Sequence, residues 1–391
     1  MPSEALLTGI AIERMIDIRR QLHRYPELSN EEYETTRRIR GWLEEARVRV
    51  KDYPLATGLI AEVGGIQEGP VIALRADIDA LPIQEKSGLP FASLNPGKMH
   101  ACGHDFHTAA LIGVAFALKK QESRLKGTVR LIFQPAEEKA KGAKLVIDSG
   151  ALEGVQAIFG MHNKPDLPVG TIGIKEGPLM AAADGFLVKV EGKGSHAAVP
   201  EAGNDPIVTA AHLVTALQSV VSRNVSSLSS AVISVTKLHS GESWNVIPDQ
   251  ALLEGTIRTF DDGVRLQVLK RFGQVVDGVA AAFGTTASIR WIEGPPPVNN
   301  DAALAKLGLA AAADTGYQAI TPNPSPAGED FAVYQREIPG LFLFIGTAGT
   351  QEWHHPAFDL DERALPVSIS YFTRLAELAL DYYSTGGGAS L

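Results

Sequence analysis

The 391-residue chain predicts an α/β protein. A large domain, built on a central mixed sheet flanked by helices, is interrupted by a smaller ferredoxin-like α+β domain. Three observations carry this reading. Short apolar runs alternate with helix-like segments in the first part of the chain, as in strand–helix–strand units. From about Phe186 the order becomes β-α-β-β-α-β, the pattern of a ferredoxin-like sandwich. The length favours two domains at ~100–200 residues each. The boundaries read as 1–183 for the first part of the large domain, 184–294 for the insertion and 295–391 for the return.

Residues 5–25 place Leu6, Leu7, Ile10, Ile12, Met15, Ile16, Ile18 and Leu22 at helical spacing. A second helix reads from about Asn30 to Ala46, with Ser29 or Asn30 as its cap and two glutamates in its first turn. The runs Gly58–Val63, Val71–Arg75, Val129–Phe133 and Ala157–Met161 read as strands, with helices from His107 to about Gln121 and near Gly142–Ser149. In the insertion, strands fall at Phe186–Val190, Ala231–Leu238 and Ala251–Thr259, and helices from Pro206 to Val221 and near Val264–Phe283. Glu293-Gly-Pro-Pro-Pro297 is the strongest linker signal. After it a helix, a short strand at Leu341–Ile345 and a final helix return to the first sheet, and the tail from Ser384 reads as disordered.

Composition narrows the function. Hydrophobic residues at 45% and charged residues at 21% are those of a folded globular chain. A net charge of −9 lacks the basic surplus that binding phosphate backbones requires, so no nucleic-acid partner is expected. No window approaches the ~20 apolar residues of a membrane span. Glu4 and Glu13 bracket the short apolar stretch at the start, unlike an export signal, so the expected compartment is cytoplasmic. The single cysteine, Cys102, forms no internal disulfide and is more interesting as a ligand or a nucleophile.

Chemistry concentrates in a few segments. Met99-His-Ala-Cys-Gly-His-Asp-Phe-His107 sets Cys102 and His104 two apart ahead of a helix, a thiolate and an imidazole suited to Zn, Mn, Co or Ni, with Gly103 letting the backbone bend. The strand Val129-Arg-Leu-Ile-Phe-Gln-Pro-Ala-Glu-Glu138 delivers two adjacent carboxylates, one able to bind metal while the other works on water. Ala157-Ile-Phe-Gly-Met-His162 ends in a third metal-competent side chain, and Trp353-His-His-Pro356 offers two more. Three strand ends would thus supply Cys/His, Glu/Glu and His. Asp77 and Asp79 follow the Val71 strand on one side and read as orienters of histidine ligands. His196 lies in the glycine-rich loop Glu191-Gly-Lys-Gly-Ser-His-Ala-Ala-Val-Pro200, exposed and able to donate to a developing oxyanion. Asn245 and Arg258 are candidate substrate contacts, Arg258 for a carboxylate. Gly328-Glu-Asp-Phe331 reads as an acidic helix start.

Together and in this order, these motifs resemble the aminoacylase/carboxypeptidase family of metal-dependent amidohydrolases. The matching branch holds bacterial N-acyl-L-amino-acid amidohydrolases, hippurate hydrolases, plant auxin-conjugate hydrolases and N-acetyldiaminopimelate deacetylases. The resemblance runs from Arg20 to Glu362 and rests on Arg75-Ala-Asp-Ile-Asp-Ala-Leu-Pro82, His100-Ala-Cys-Gly-His-Asp105, Gln134-Pro-Ala-Glu-Glu138 and Gly192-Lys-Gly-Ser-His-Ala197. Within the branch it looks most like bacillus-type deacetylases acting on N-acetylated sulfur-containing amino acids.

The resemblance implies a zinc-peptidase-like catalytic domain, with the insertion as lid and dimerisation domain. It implies two divalent ions per subunit (Zn, Mn, Ni or Co) on Cys102, His104, Glu138, His162 and His354. His354 is preferred over His355 because the family pattern reads His-x-Pro, here ending at Pro356. Glu137 matches the general base, Asp77 or Asp79 the acid beside the metals, and His196 the oxyanion donor, with Asn245 and Arg258 against the substrate. The implied substrate is a small N-acyl L-amino acid and the implied assembly a homodimer. Other readings are an N-acetyldiaminopimelate deacetylase or dipeptidase, a metal-independent cysteine amidase using Cys102, or a non-catalytic metal-binding module.

Overall fold

The structure is a computed structural model that describes residues 12–386. Its chain forms two units. One comprises the chain up to Gly177, Asn299–Asn323 and everything from Asp330; the other comprises Pro178–Val298 with Pro324–Glu329. The borders differ by a few residues from those read in the sequence, and 324–329 joins the insertion. The reason is local: the Ala181 N–H is shared by the carbonyls of Ser325 and Ala327, each at 3.1 Å, and Ser325 N–H donates to Leu179 O at 2.8 Å.

The first unit carries an eight-stranded sheet. Across it the strands run Arg49–Lys51, Leu59–Gly64, Thr128–Gln134, Val71–Asp77, Val155–Lys164, Gly340–Gly346, Thr171–Gly173 and Gln318–Ile320. The four at its centre are parallel, and Leu59–Gly64 joins them antiparallel. Their near-continuous apolar sequences follow from burial on both faces, which parallel strands require. One helix, His104–Lys120, is buried from His104 to Ala115. Its small residues admit the Ala364–Ser384 helix so closely that a side chain at Gly113 would stand 2.4 Å from Ile369 Cδ1. The carboxyl ends of the parallel strands bring Asp77, Gln134 and His162 toward one rim, where open α/β sheets hold their sites.

The second unit is a four-stranded antiparallel sheet in the order Ala231–His239, Gln250–Thr259, Ala182–Glu191, Thr286–Ile292. Helices Pro206–Asn224 and Asp262–Ala282 share its core. Strict alternation along Ala182–Glu191 turns Phe186, Val188 and Val190 inward. Both helices start as capping chemistry directs: Asp205 accepts from Ile207 N at 2.8 Å and Asp261 from Val264 N at 2.9 Å.

Several elements differ from expectation. The first helix is described as Ile12–Arg24, and Leu6, Leu7 and Ile10 lie outside the described residues. The second is Tyr33–Glu45 and is capped by neither Ser29 nor Asn30. Ser29 Oγ donates to Asp79 Oδ2 at 2.7 Å, while the Glu27 carboxylate accepts from Glu34 N and Thr35 N at 3.2 and 2.7 Å. A long side chain upstream thus does the work expected of the adjacent short one. The helix read from His107 begins at His104, because Gly103 in the left-handed region turns the chain straight into it. Ser384 belongs to the last helix, and residues 387–391 of the expected tail lie outside the described ones.

Candidate metal centre

Cys102, His104, Glu138, His162 and His354 meet at one point of the first unit. Cys102 Sγ lies 3.4 Å from His162 Nε2. His104 Nε2 and His354 Nε2 approach the same Glu138 oxygen at 3.9 and 3.5 Å. Ligand atoms of Cys102, His104 and His162 all lie within 4.8 Å of one another, as do those of Cys102, Glu138 and His354, and of His104, Glu137 and Glu138. Delivery differs from the expected three strand ends. Only His162 sits on a strand; Cys102 and His104 come from the turn into a helix, and the two glutamates from a single 3₁₀ turn, Glu137–Lys139, which Ala136 enters at φ +55°. His354, at φ +65°, is held by its N–H donating to Ala101 O at 2.8 Å and keeps 54% of its side chain exposed.

Two atoms test whether this set suits a cation. His104 Nε2 and Glu138 Oε1 are buried without a hydrogen-bond partner. Buried polar atoms are otherwise almost always satisfied. Unsatisfied ligand atoms converging with a thiol and two further imidazoles have the composition of a borderline-soft divalent site.

The neighbours orient and charge these ligands. Asp79 Oδ1 lies 3.3 Å from His104 Nδ1, and Asp77 Oδ1 lies 3.8 Å from it, leaving Nε2 to face inward. His162 Nδ1 donates to Asn163 O at 2.9 Å, which aims its Nε2 at Cys102. Burial opposes charge on His104, but Asp77 and then Asp79 outweigh it and lift its pKa to about 10. Burial pushes Glu138 up to about 7 against the pull of His104. Burial, reinforced by His107, drives His162 well below the ordinary histidine value. Burial would also raise Asp77 and Asp79, yet the histidines they face hold both below the usual carboxylate range.

The two aspartates divide their work. Asp79 serves His104, accepts from Glu138 N at 3.1 Å and takes the Ser29 hydroxyl. Asp77 instead accepts from His107 Nδ1 at 2.6 Å and pairs with Arg75 at 2.7 Å. Glu137 Oε1 accepts from Asp330 N at 3.4 Å. Sequence reasoning missed this surround. Buried Arg75 spans Asp77, Gln134 Oε1 at 2.8 Å and Asp330 Oδ1 at 2.9 Å. Asp330 stands at the start of the Phe331–Tyr334 helix, as the acidic motif suggested, but its carboxylate turns to Arg75 and accepts from Ala143 N, and burial lifts its pKa to about 6 against the pull of Arg75. His107 carried a usable signal, standing one helical turn beyond His104.

The remaining candidates belong to the second unit. His196 is exposed on the two-residue strand Ser195–His196, paired with Val246–Ile247, and Ala197 N donates to Asn245 O at 3.0 Å. Ala198 N donates to His196 Nδ1 at 3.0 Å, so the neutral ring carries its proton on Nε2. Arg258 is on a different strand, bonded to Thr256 Oγ1 and Ile257 O. Among the described residues, no hydrogen bond links it to His196 or Asn245. Nor is any described helix long and apolar enough to cross a membrane.

Comparison with known proteins agrees with this chemistry. An N-acetylcysteine deacetylase of Bacillus subtilis (strain 168) is 56% identical over 94% of this chain and 97% of its own. An IAA-amino acid hydrolase ILR1-like 4 of Arabidopsis thaliana is 41% identical over 93% and 84%. The crystal structure of a Bacillus subtilis protein described as a dinuclear metal binding peptidase from M20 family superposes with a TM-score of 0.86 at 52% identity, covering 95% of this chain and 98% of that one. The profile of peptidase family M20/M25/M40 matches residues 73–378, a span holding every candidate ligand, and the chain belongs to that family.

Proposed function

We propose that the protein hydrolyses the amide bond of N-acyl L-amino acids, releasing a carboxylate and a free amino acid, with N-acetylated sulfur-containing amino acids among its substrates. The chain is a metal-dependent amidohydrolase of its family, and its 56% identity to an N-acetylcysteine deacetylase supports the substrate class. The observation that carries the chemistry is the pair of unsatisfied buried atoms, His104 Nε2 and Glu138 Oε1, facing one another beside a second glutamate.

In this reading Cys102, His104, Glu138, His162 and His354 hold two divalent ions. When bound, such ions lower the pKa of water and stabilise charge that develops on an amide oxygen. Glu137 accepts the proton of the attacking water and hands it to the leaving amine, its carboxylate held by the Asp330 N–H. Asp79 keeps His104 in its working tautomer. His196 offers its Nε2–H to the oxyanion, and Asn245 and Arg258 contact the substrate. A homodimer through the second unit, with His196 serving the partner's reaction, and Zn, Mn, Ni or Co as the ion complete the proposal. A reducing, cytoplasmic setting suits a chain whose lone cysteine works as a thiolate ligand.

The test measures free amino acid released from N-acetyl, N-benzoyl and indole-acetyl amino acids, with manganese and with chelator. Release abolished by chelator is expected, with N-acetylcysteine and N-acetylmethionine among the best substrates. Glu137→Gln should lose turnover by at least ~100-fold while the metal content of the purified protein stays at the wild-type level. Chelator-resistant release would move the chemistry to Cys102 as nucleophile.

A further inference from the structure

Asn163 follows a proposed ligand yet carries none of the metal-binding chemistry. All four of its polar groups are engaged within the centre. Its N–H donates to His107 Nε2 at 3.0 Å, and its carbonyl accepts from His162 Nδ1 at 2.9 Å and from Trp353 Nε1 at 3.2 Å. Any residue would supply those three backbone bonds. The side chain adds three contacts. Nδ2 donates to Cys102 O at 2.6 Å and lies 3.1 Å from His107 Nε2, and Oδ1 accepts from Trp353 Nε1 at 3.3 Å. His107 Nδ1 donates to Asp77, so its Nε2 presents one lone pair, which the Asn163 backbone N–H fills with the side-chain amide beside it. The side chain is therefore asked for an N–H donor to the Cys102 carbonyl and an acceptor for the Trp353 N–H at the end of a single short stem, a pairing that a primary amide provides. Asn163 is fully buried, and a side chain on Gly103 would stand 2.4 Å from its Nδ2, so the turn between Cys102 and His104 is built around this amide. Trp353, at the other end of the network, packs 4.4 Å from the His162 ring and immediately precedes His354.

We propose that Asn163 is the positioning residue of the metal centre: its side-chain amide ties the Cys102 carbonyl to Trp353 while its backbone holds the His107 and His162 rings, and the register so fixed sets the direction of the Cys102 and His162 ligand atoms. The inference rests on the reading of those residues as ligands.

It is tested by Asn163→Asp, which keeps the volume and the Trp353 acceptor but removes the side-chain donor to Cys102 O. The metal-free wild type and variant are titrated with cobalt(II), following the near-ultraviolet thiolate-to-cobalt band, the bound stoichiometry and the affinity by chelator competition. Thermal unfolding of the metal-free proteins runs in parallel, and kcat and KM are measured on the reloaded enzymes. The expected variant unfolds within a few degrees of the wild type without metal, has a diminished or shifted thiolate band, binds cobalt ~10–100-fold more weakly, and loses kcat more than it raises KM. A wild-type band and affinity in Asn163→Asp would overturn the proposal. Should that variant fail to fold, Asn163→Ala takes its place, and failure of both would make the residue architectural and overturn the proposal equally. Absence of a thiolate band in the wild type would instead defeat the ligand assignment of Cys102, an outcome distinct from the failure of Asn163.

Discussion

At the scale of the residue, the centre depends on charged groups buried together. Arg75 holds Asp77 and Asp330 apart by pairing with both, and all three are buried. Removing one partner of such a set leaves the others uncompensated, which costs about 3–5 kcal/mol. Arg75→Met should therefore lower the unfolding free energy measured in urea by that order, and Arg75→Lys, lacking the planar fork, should recover only part of it. His23 makes a second test. Burial disfavours its charge, but Asp105 beside it prevails, and with Glu85 on the other ring nitrogen its pKa rises to about 9. A histidine that holds its proton more tightly folded than unfolded contributes stability that is fully present below its ordinary value of ~6.5 and is lost as pH rises through about 9. Melting should thus shift downward between pH 6.5 and 9.5 in the wild type, and that component should vanish in His23→Gln. The metal-competent residue types were legible in the sequence because their chemistry is rare: Cys102 is the only cysteine, and His104, the Glu137–Glu138 pair, His162 and the His354–His355 pair sit in unusual motifs, the choice within each pair resting on the family resemblance. Their supports were not. Arg75 and Asp330 lie 255 residues apart, and an arginine inside an apolar strand or an asparagine after a histidine announces nothing until the fold supplies its partners.

At the scale of the element, the same division holds. The strands and helices read from apolar periodicity lie within a few residues of their observed places, since burial writes itself into sequence, but the short edge strands Arg49–Lys51, Thr171–Gly173 and Gln318–Ile320 and the half-exposed Thr286–Ile292 are not placed by it. Caps and turns escaped because their partners are remote: Glu27, not Ser29, meets the Tyr33–Glu45 helix, and the Glu137–Lys139 turn replaces a simple strand end. Two glycines mark where elements meet the site. Gly103 is left-handed at φ +83° and backed by Asn163. Gly103→Ala should weaken metal binding measured by chelator competition, with a smaller loss of metal-free stability. Gly160, on the strand that delivers His162, has no room either, since a side chain there would fall 2.8–2.9 Å from the rings of Phe331 and Phe342. Gly160→Val should destabilise by about 1–3 kcal/mol through overpacking, read from chemical unfolding.

At the scale of the whole molecule, the proposed roles are split between units: Glu137 lies in the first and His196 in the second. If His196 serves a partner's reaction, Glu137→Gln and His196→Ala homodimers should each be inactive, while mixing them through a dissociation and reassociation step should restore up to about half the wild-type rate per heterodimer, one of its two sites being intact. No recovery, in a preparation shown to contain heterodimers, would place His196 and Glu137 in service of the same subunit's site. The sequence made the two-unit plan visible through its change of periodicity near Phe186 and its proline-rich linker, but not the return of 324–329 to the insertion, which depends on backbone bonds to Leu179 and Ala181. The sheet order has one more consequence. Gly340–Gly346 lies between Val155–Lys164 and Thr171–Gly173, so a central strand of the first unit is translated only after the whole 178–298 stretch. On the ribosome the edge of Val155–Lys164 therefore waits unpaired while the insertion is made, and such an edge invites pairing with other chains. The insertion draws its strands from one contiguous stretch and can fold during that interval, but the sheet closes only once Gly340–Gly346 has been made, so the time taken to synthesise residues 178–346 sets how long the nascent protein carries an open edge.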